Sequence, residues 1–288
     1  MKKARGLLGY MTENEAIALL SNGLAIPNQE ELKKKWLASV EKTKQRTYAT
    51  NLTPEILNIT DKHQQKEINE ILSRIQNRLK AEPQAFGNSW DLKLISINGL
   101  VTIQKTVGVD FATETVQDVK GKEDLVGALK VTLNNEIKKE NFMISLDAAD
   151  PNCYTITSKN LNFGFLNPSP TQIPIGNTQE KVWGIGFNFA SRTSYVVVLH
   201  SNGRYILKDG YHKVYGLMSK GFTHVPCILM NGDAQQLIPQ QAGLFPISTV
   251  LSENPPMLRD FTDIGDDIII PEIVNVVKVN IQSTQVLF

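Results

Sequence analysis

Apolar residues recur at three- and four-residue steps through the first third of the chain, a period that predicts helices. Thr12 is placed to cap a helix over T-E-N-E-A-I-A-L-L, with Glu15 reaching back to it and Met11 set to pack on Ala16; Asn22-Gly23 ends it. Pro27-Asn28 opens a second helix, with Glu31 three residues after Asn28 and Leu32, Trp36, Leu37 and Val40 as its apolar stripe. Thr53-Pro54-Glu55 reads as a further helix start, with proline in the first helical position, where its missing N–H costs nothing. From Asp61 to Glu82, Ile68, Ile71, Leu72, Ile75 and Leu79 mark the clearest helix of the chain, its stripe free to dock on a β domain or on a second copy.

Pro83 to Trp90 is a linker by its Pro, Gly, Asn and Ser content, and it bounds a helical N-terminal region over residues 1–90. Strand patterns dominate beyond it. Leu94 to Val107 reads as a strand region, Val109 to Val119 as polar and irregular, Glu123 to Lys138 as a helix and Phe142 to Leu146 as a strand. Asn160 to Asn177, with Pro168, Pro170 and Pro174, is expected to be a surface loop, and Lys181 to Ala190 an apolar strand. Tyr195 to Leu199 and Arg204 to Leu207 flank Asn202-Gly203, the pair that joins antiparallel strands in a tight hairpin. After Asp209-Gly210 the period returns to helical through Val214, Leu217 and Met218 until Gly221, and Val225 to Leu229 is a strand. Ile268 to Ile270 and Ile273 to Val279 are further strands, and the chain closes on the apolar Val286-Leu287-Phe288. The class is α+β, in three parts: residues 1–90, residues 91–232, and a strand-rich acidic extension over residues 233–288.

Charge and composition narrow the chemistry. A net charge of +1 supplies no global field toward nucleic acid, although the first 90 residues carry 14 Lys or Arg against 10 Asp or Glu and residues 233–288 carry 2 against 7. Cys153 and Cys227 imply no disulfide framework, and no apolar run is of signal-peptide or membrane-spanning length, so a soluble cytoplasmic protein is expected. Asp147 with Asp150, and the aspartates from Asp260 to Asp267, are read as solvated acidic turns, with a cation site as the alternative. No metal ligand is assigned.

The chemistry concentrates in Asp209-Gly210-Tyr211-His212-Lys213. A glycine at a helix start presents unpaired backbone N–H groups, and His212 and Lys213 stand in the first turn beside them, a setting for a phosphate or other anion. The same spacing allows a plain reading in which Asp209 accepts backbone hydrogen bonds while His212 and Lys213 face solvent.

The succession V-V-V, N-G-R-Y-I-L, D-G-Y-H-K and G-F-T-H-V-P-C-I-L resembles the nucleotide-binding fold shared by ParB-type partition proteins, sulfiredoxins and ParB-like kinases and nucleases. Leu94 to Val107 resembles the opening strand of that fold. The two stretches cover about 50 residues, and the sequence between them is longer than the family core requires. The resemblance implies a mixed-sheet domain over residues 91–232 with an insertion. It further implies nucleotide phosphates, of ATP or CTP, held by Gly210, Tyr211, His212 and Lys213 with Arg192 assisting, and His212 and Asp209 as catalytic candidates, with Mg as a possible partner of Asp209. Tyr211 stands where sulfiredoxins carry their catalytic cysteine, and Tyr-His-Lys where partition proteins carry Glu-Arg-Arg, which argues against transferring either chemistry unchanged. The alternatives are an assembly protein using the fold as a scaffold, with a protein partner or a second copy, and a DNA-binding or nuclease module.

Overall fold

Thr12 closes the first turn of α1 (Glu13–Leu20) as a full capping box: its hydroxyl takes the Glu15 N–H while the Glu15 carboxylate takes the Thr12 N–H. Asn28 does the same service for α2 (Gln29–Lys44), accepting the N–H groups of Glu30 and Glu31. The computed structural model describes residues 1–46, 53–61, 63–81, 89–133, 142–147, 149–150, 152–158, 163–174, 181–191, 194–271 and 275–280. The fold is α+β, and the chain forms two compact units, Met1–Asn134 with Tyr195–Pro271 and Asn135–Ser194 with Glu272–Phe288. The divisions expected after residues 90 and 232 both fall inside the first unit.

The first unit carries β1 (Lys2–Gly6), α1, α2, β2 (Ile56–Leu57), α3 (Gln65–Ala81), β3 (Trp90–Ser96), β4 (Leu100–Thr102), β5 (Thr106–Gly108), α4 (Val109–Thr115) and α5 (Leu125–Leu133). It resumes with β10 (Val197–Ser201), β11 (Arg204–Asp209), α6 (Tyr211–Ser219), β12 (His224–Asn231), the single-turn helices α7 (Ala234–Leu237), α8 (Ile247–Val250) and α9 (Asp260–Asp263), and β13 (Asp266–Ile270). Six strands form one sheet in the order β2-β3-β12-β10-β11-β4, with β10 parallel to β12, and three form another in the order β13-β1-β5.

The hairpin between β10 and β11 turns on Asn202 and Gly203, both at positive φ, 51° and 71°. Ile68, Ile71, Ile75 and Leu79 of α3 are all buried in the core of this unit, so the stripe docks on its own chain. At the contact of α4 and α6, a Cβ on Gly216 would lie 2.6 Å from the Ala112 carbonyl oxygen and 2.8 Å from Val116 Cγ1; only glycine allows the two helices to approach this closely. The Val196 N–H bonds to the Thr132 carbonyl, joining the chain on either side of the second unit.

The second unit holds β6 (Phe142–Leu146), β7 (Cys153–Ser158) and β14 (Asn275–Asn280) in a sheet of order β14-β7-β6, and the hairpin of β8 (Phe163–Pro174) with β9 (Lys181–Ser191). Asp147 accepts from Lys278 Nζ at 2.9 Å and from the Ala149 N–H, contacts that hold its carboxyl below the usual range.

Four expectations are corrected. Thr53-Pro54-Glu55 opens no helix: the Glu55 carbonyl accepts the Ser96 N–H, Pro54 is buried, and the chain runs into β2 on the sheet edge. Residues 109–115 are helical, because Ala112 and Val116 bury at a four-residue step against Gly216. The proline-rich stretch is strand β8. Pro168, Pro170 and Pro174 pair with Phe187, Ile185 and Lys181, all at even spacing, so their missing N–H groups share one side of a strand that has a single ladder partner among the described residues. Asp260 is wholly buried rather than solvated. The expected helix residues beyond Leu133, most of the 83–90 linker and the apolar tail lie outside the described residues.

Candidate functional site

Gly210 ends β11 and opens α6 with φ of 84°, the left-handed region that glycine enters without cost. Space imposes the same choice, since a Cβ there would lie 2.7 Å from Val196 Cγ2 and 2.8 Å from Val196 Cα. The close approach of Gly210 to Val196 fixes the direction in which α6 leaves the sheet.

Asp209, exposed, turns back on the loop, and its Oδ1 accepts the Gly210 N–H at 2.6 Å. The remaining first-turn donors are treated differently. Gly210 has no side chain to close the turn, no acidic residue lies within it, and the backbone N–H groups of Tyr211 and His212 find no acceptor among the described residues. These donors lie at the positive end of the helix dipole. Lys213 follows in the same turn, half-buried.

The His212 ring faces elsewhere. Its Nε2 accepts the Gly108 backbone N–H at 3.1 Å, so the ring proton sits on Nδ1 and the imidazole is neutral. Burial lowers its pKa from 6.5 to about 4, which keeps it neutral at physiological pH. Phe111 meets the ring edge-on at 4.8 Å between centroids, and Tyr211 lies tilted at 4.2 Å on it. The ring expected to contact phosphate, or to act as a base, therefore has its one lone pair engaged by Gly108. Tyr211 itself is pushed up to about 12, first by burial and then by the Asp209 charge.

The structure thus brings Asp209, Gly210, Tyr211, His212 and Lys213 to one turn, while Arg192 lies outside the described residues. Gly108 and Phe111 join them from β5 and α4, 104 residues away in the case of the Gly108 bond. Nothing in the local sequence signals that contact. Among the described residues no three His, Cys, Asp or Glu side chains are grouped to hold a metal ion, and no helix is long and apolar enough to cross a membrane. No family model, curated protein or solved structure matches the chain.

Proposed function

We propose that the first unit is a ParB/sulfiredoxin-like module that binds a phosphate-bearing ligand, a nucleotide such as ATP or CTP, at the start of α6. The observation that carries this reading is the turn itself: a glycine held at φ of 84° against Val196, followed at a helix N-terminus by two backbone N–H groups without acceptors among the described residues. Lys213 adds a cationic head in the same turn. The phosphate is held by main-chain donors, with the aspartate beside them setting an upper limit on affinity through its charge.

The reading is of binding rather than phosphoryl transfer. The one lone pair of the neutral His212 ring is engaged by Gly108, so the ring is not poised as a general base, and Asp209 turns its Oδ1 onto the Gly210 N–H. This same observation favours a second reading, in which the module serves assembly with a protein partner or a second copy.

Calorimetric titration with ATP, CTP, GTP and ADP, with and without magnesium, tests it. Lys213→Ala is expected to weaken binding and Asp209→Asn, which keeps the oxygen that accepts from Gly210 and removes the charge, to strengthen it by about threefold to tenfold. Absence of binding by the folded wild-type protein to every nucleotide sinks the reading and leaves the assembly one.

A further inference from the structure

The turn at Gly210 leaves β11, a strand of the six-stranded sheet, whereas Gly108 ends β5 of the three-stranded sheet and opens α4. The His212 ring spans the two. Gly108 is paired with Ala4 in β1, so its N–H is carried on a backbone already fixed by a ladder, and a Cβ on it would stand 3.4 Å from Nε2. Phe111 and Tyr211 hold the ring on two further sides. An acceptor locked in this way can hold the backbone of its own residue in place, and residue 212 is one of the two whose N–H groups find no acceptor among the described residues.

We propose that His212 is a positioning residue: by accepting the Gly108 N–H it fixes the first turn of α6, and phosphate affinity depends on that acceptor and not on a cationic ring. The inference rests on the phosphate-binding reading above. It follows from the chemistry of the contact, because a nitrogen that accepts an N–H has no proton to offer a phosphate. Misplacement of a fixed donor by a fraction of an ångström weakens an ionic hydrogen bond steeply, so loss of the anchor is felt at the ligand.

Two substitutions separate a positioning ring from a charged one. His212→Gln carries an amide oxygen to about the reach of Nε2 and can never be a cation; His212→Ala has neither acceptor nor charge. ATP is titrated into the wild type and both variants by calorimetry. Exchange of the Gly108 amide is followed by NMR on the same proteins, after circular dichroism has established that each is folded. The expected result is wild-type affinity within about twofold for His212→Gln and a loss of about tenfold or more for His212→Ala, with Gly108 protected in the first and not in the second. Equal loss in both variants overturns the proposal in favour of a charged contact, and wild-type affinity in His212→Ala overturns it in favour of a purely structural ring. A wild-type protein that binds no ATP removes the phosphate reading and the ligand half of this proposal with it. Gly108 protection still decides whether the ring anchors the turn, and an unprotected Gly108 in the wild type refutes the anchor.

Discussion

Arg46 and Asp260 form an ion pair of 2.9 Å with their side chains 4% and 0% exposed, and Tyr10 completes the cluster by donating its hydroxyl to the same carboxylate oxygen at 2.8 Å. Arg46 also donates to the Pro255 carbonyl and to the Tyr10 hydroxyl, and the Met257 N–H reaches Asp260 at 2.7 Å. Burial pushes the Asp260 carboxyl up against the pull of these donors. Removing one charge strands the other, so Arg46→Met is expected to destabilise the unit by about 3–5 kcal/mol. Arg46→Met with Asp260→Leu, which strands neither, is expected to recover much of that loss. Urea midpoints at unchanged slope measure both, and a mild single variant would show that water reaches the pair.

Gly210 and Gly203 both adopt positive φ, yet they differ in surroundings: a Cβ on Gly203 meets nothing within 4 Å, whereas one on Gly210 meets Val196. Gly203→Ala should therefore cost only the backbone strain, about 1 kcal/mol, and Gly210→Ala the strain plus overpacking, about 2–4 kcal/mol in all. Chemical denaturation of the two variants side by side checks the difference, and equal costs would mean that Val196 yields.

Stability should fall in mild acid through His212. The unfolded chain takes up a proton on this ring near pH 6.5, whereas the folded chain, with the ring held at about 4, does so only near that lower value. The contribution is fully present above the first value and is lost as pH falls through the window, reaching up to about 3 kcal/mol. Unfolding free energies of the wild type and His212→Gln at about pH 7 and about pH 4.5 isolate the ring, since other carboxylates and histidines cancel in the difference. An identical pH dependence in both proteins would show the ring to be solvated.

Cys227 lies in β12 with no exposed surface, and burial pushes its thiol well above the usual range. A disulfide reagent such as Ellman's is expected to leave it unlabelled in the native protein and to label it at the rate of unfolding. Peptide mapping separates it from Cys153, and fast native labelling of Cys227 would place β12 at the surface.

What the sequence made legible was what neighbouring residues decide. The capping box of Thr12 and Glu15, the Asn202-Gly203 turn and the helix from Gly210 to Gly221 all depend on partners within a few positions. Pro54 looked like a helix start because its local chemistry suits one, but Ser96 claims the carbonyl of the next residue. Asp260 looked solvated among other aspartates, and its burial depends on Arg46, 214 positions earlier. The candidate site divides in the same way. Its glycine and its first-turn donors were readable, whereas the orientation of the His212 ring was set by a strand that the pattern of β11 and α6 does not contain.

β1 lies between β13 and β5, with Lys2 opposite Ile270 and Gly6 opposite Asp266. On a ribosome adding roughly 5–20 residues per second, this strand waits through tens of seconds of synthesis for its outer neighbour. The small sheet is thus the last part of the unit to be completed. Nascent chains halted before Asp266 would leave one edge of β1 open, a template to which a chaperone, or another unfinished copy, can add a strand.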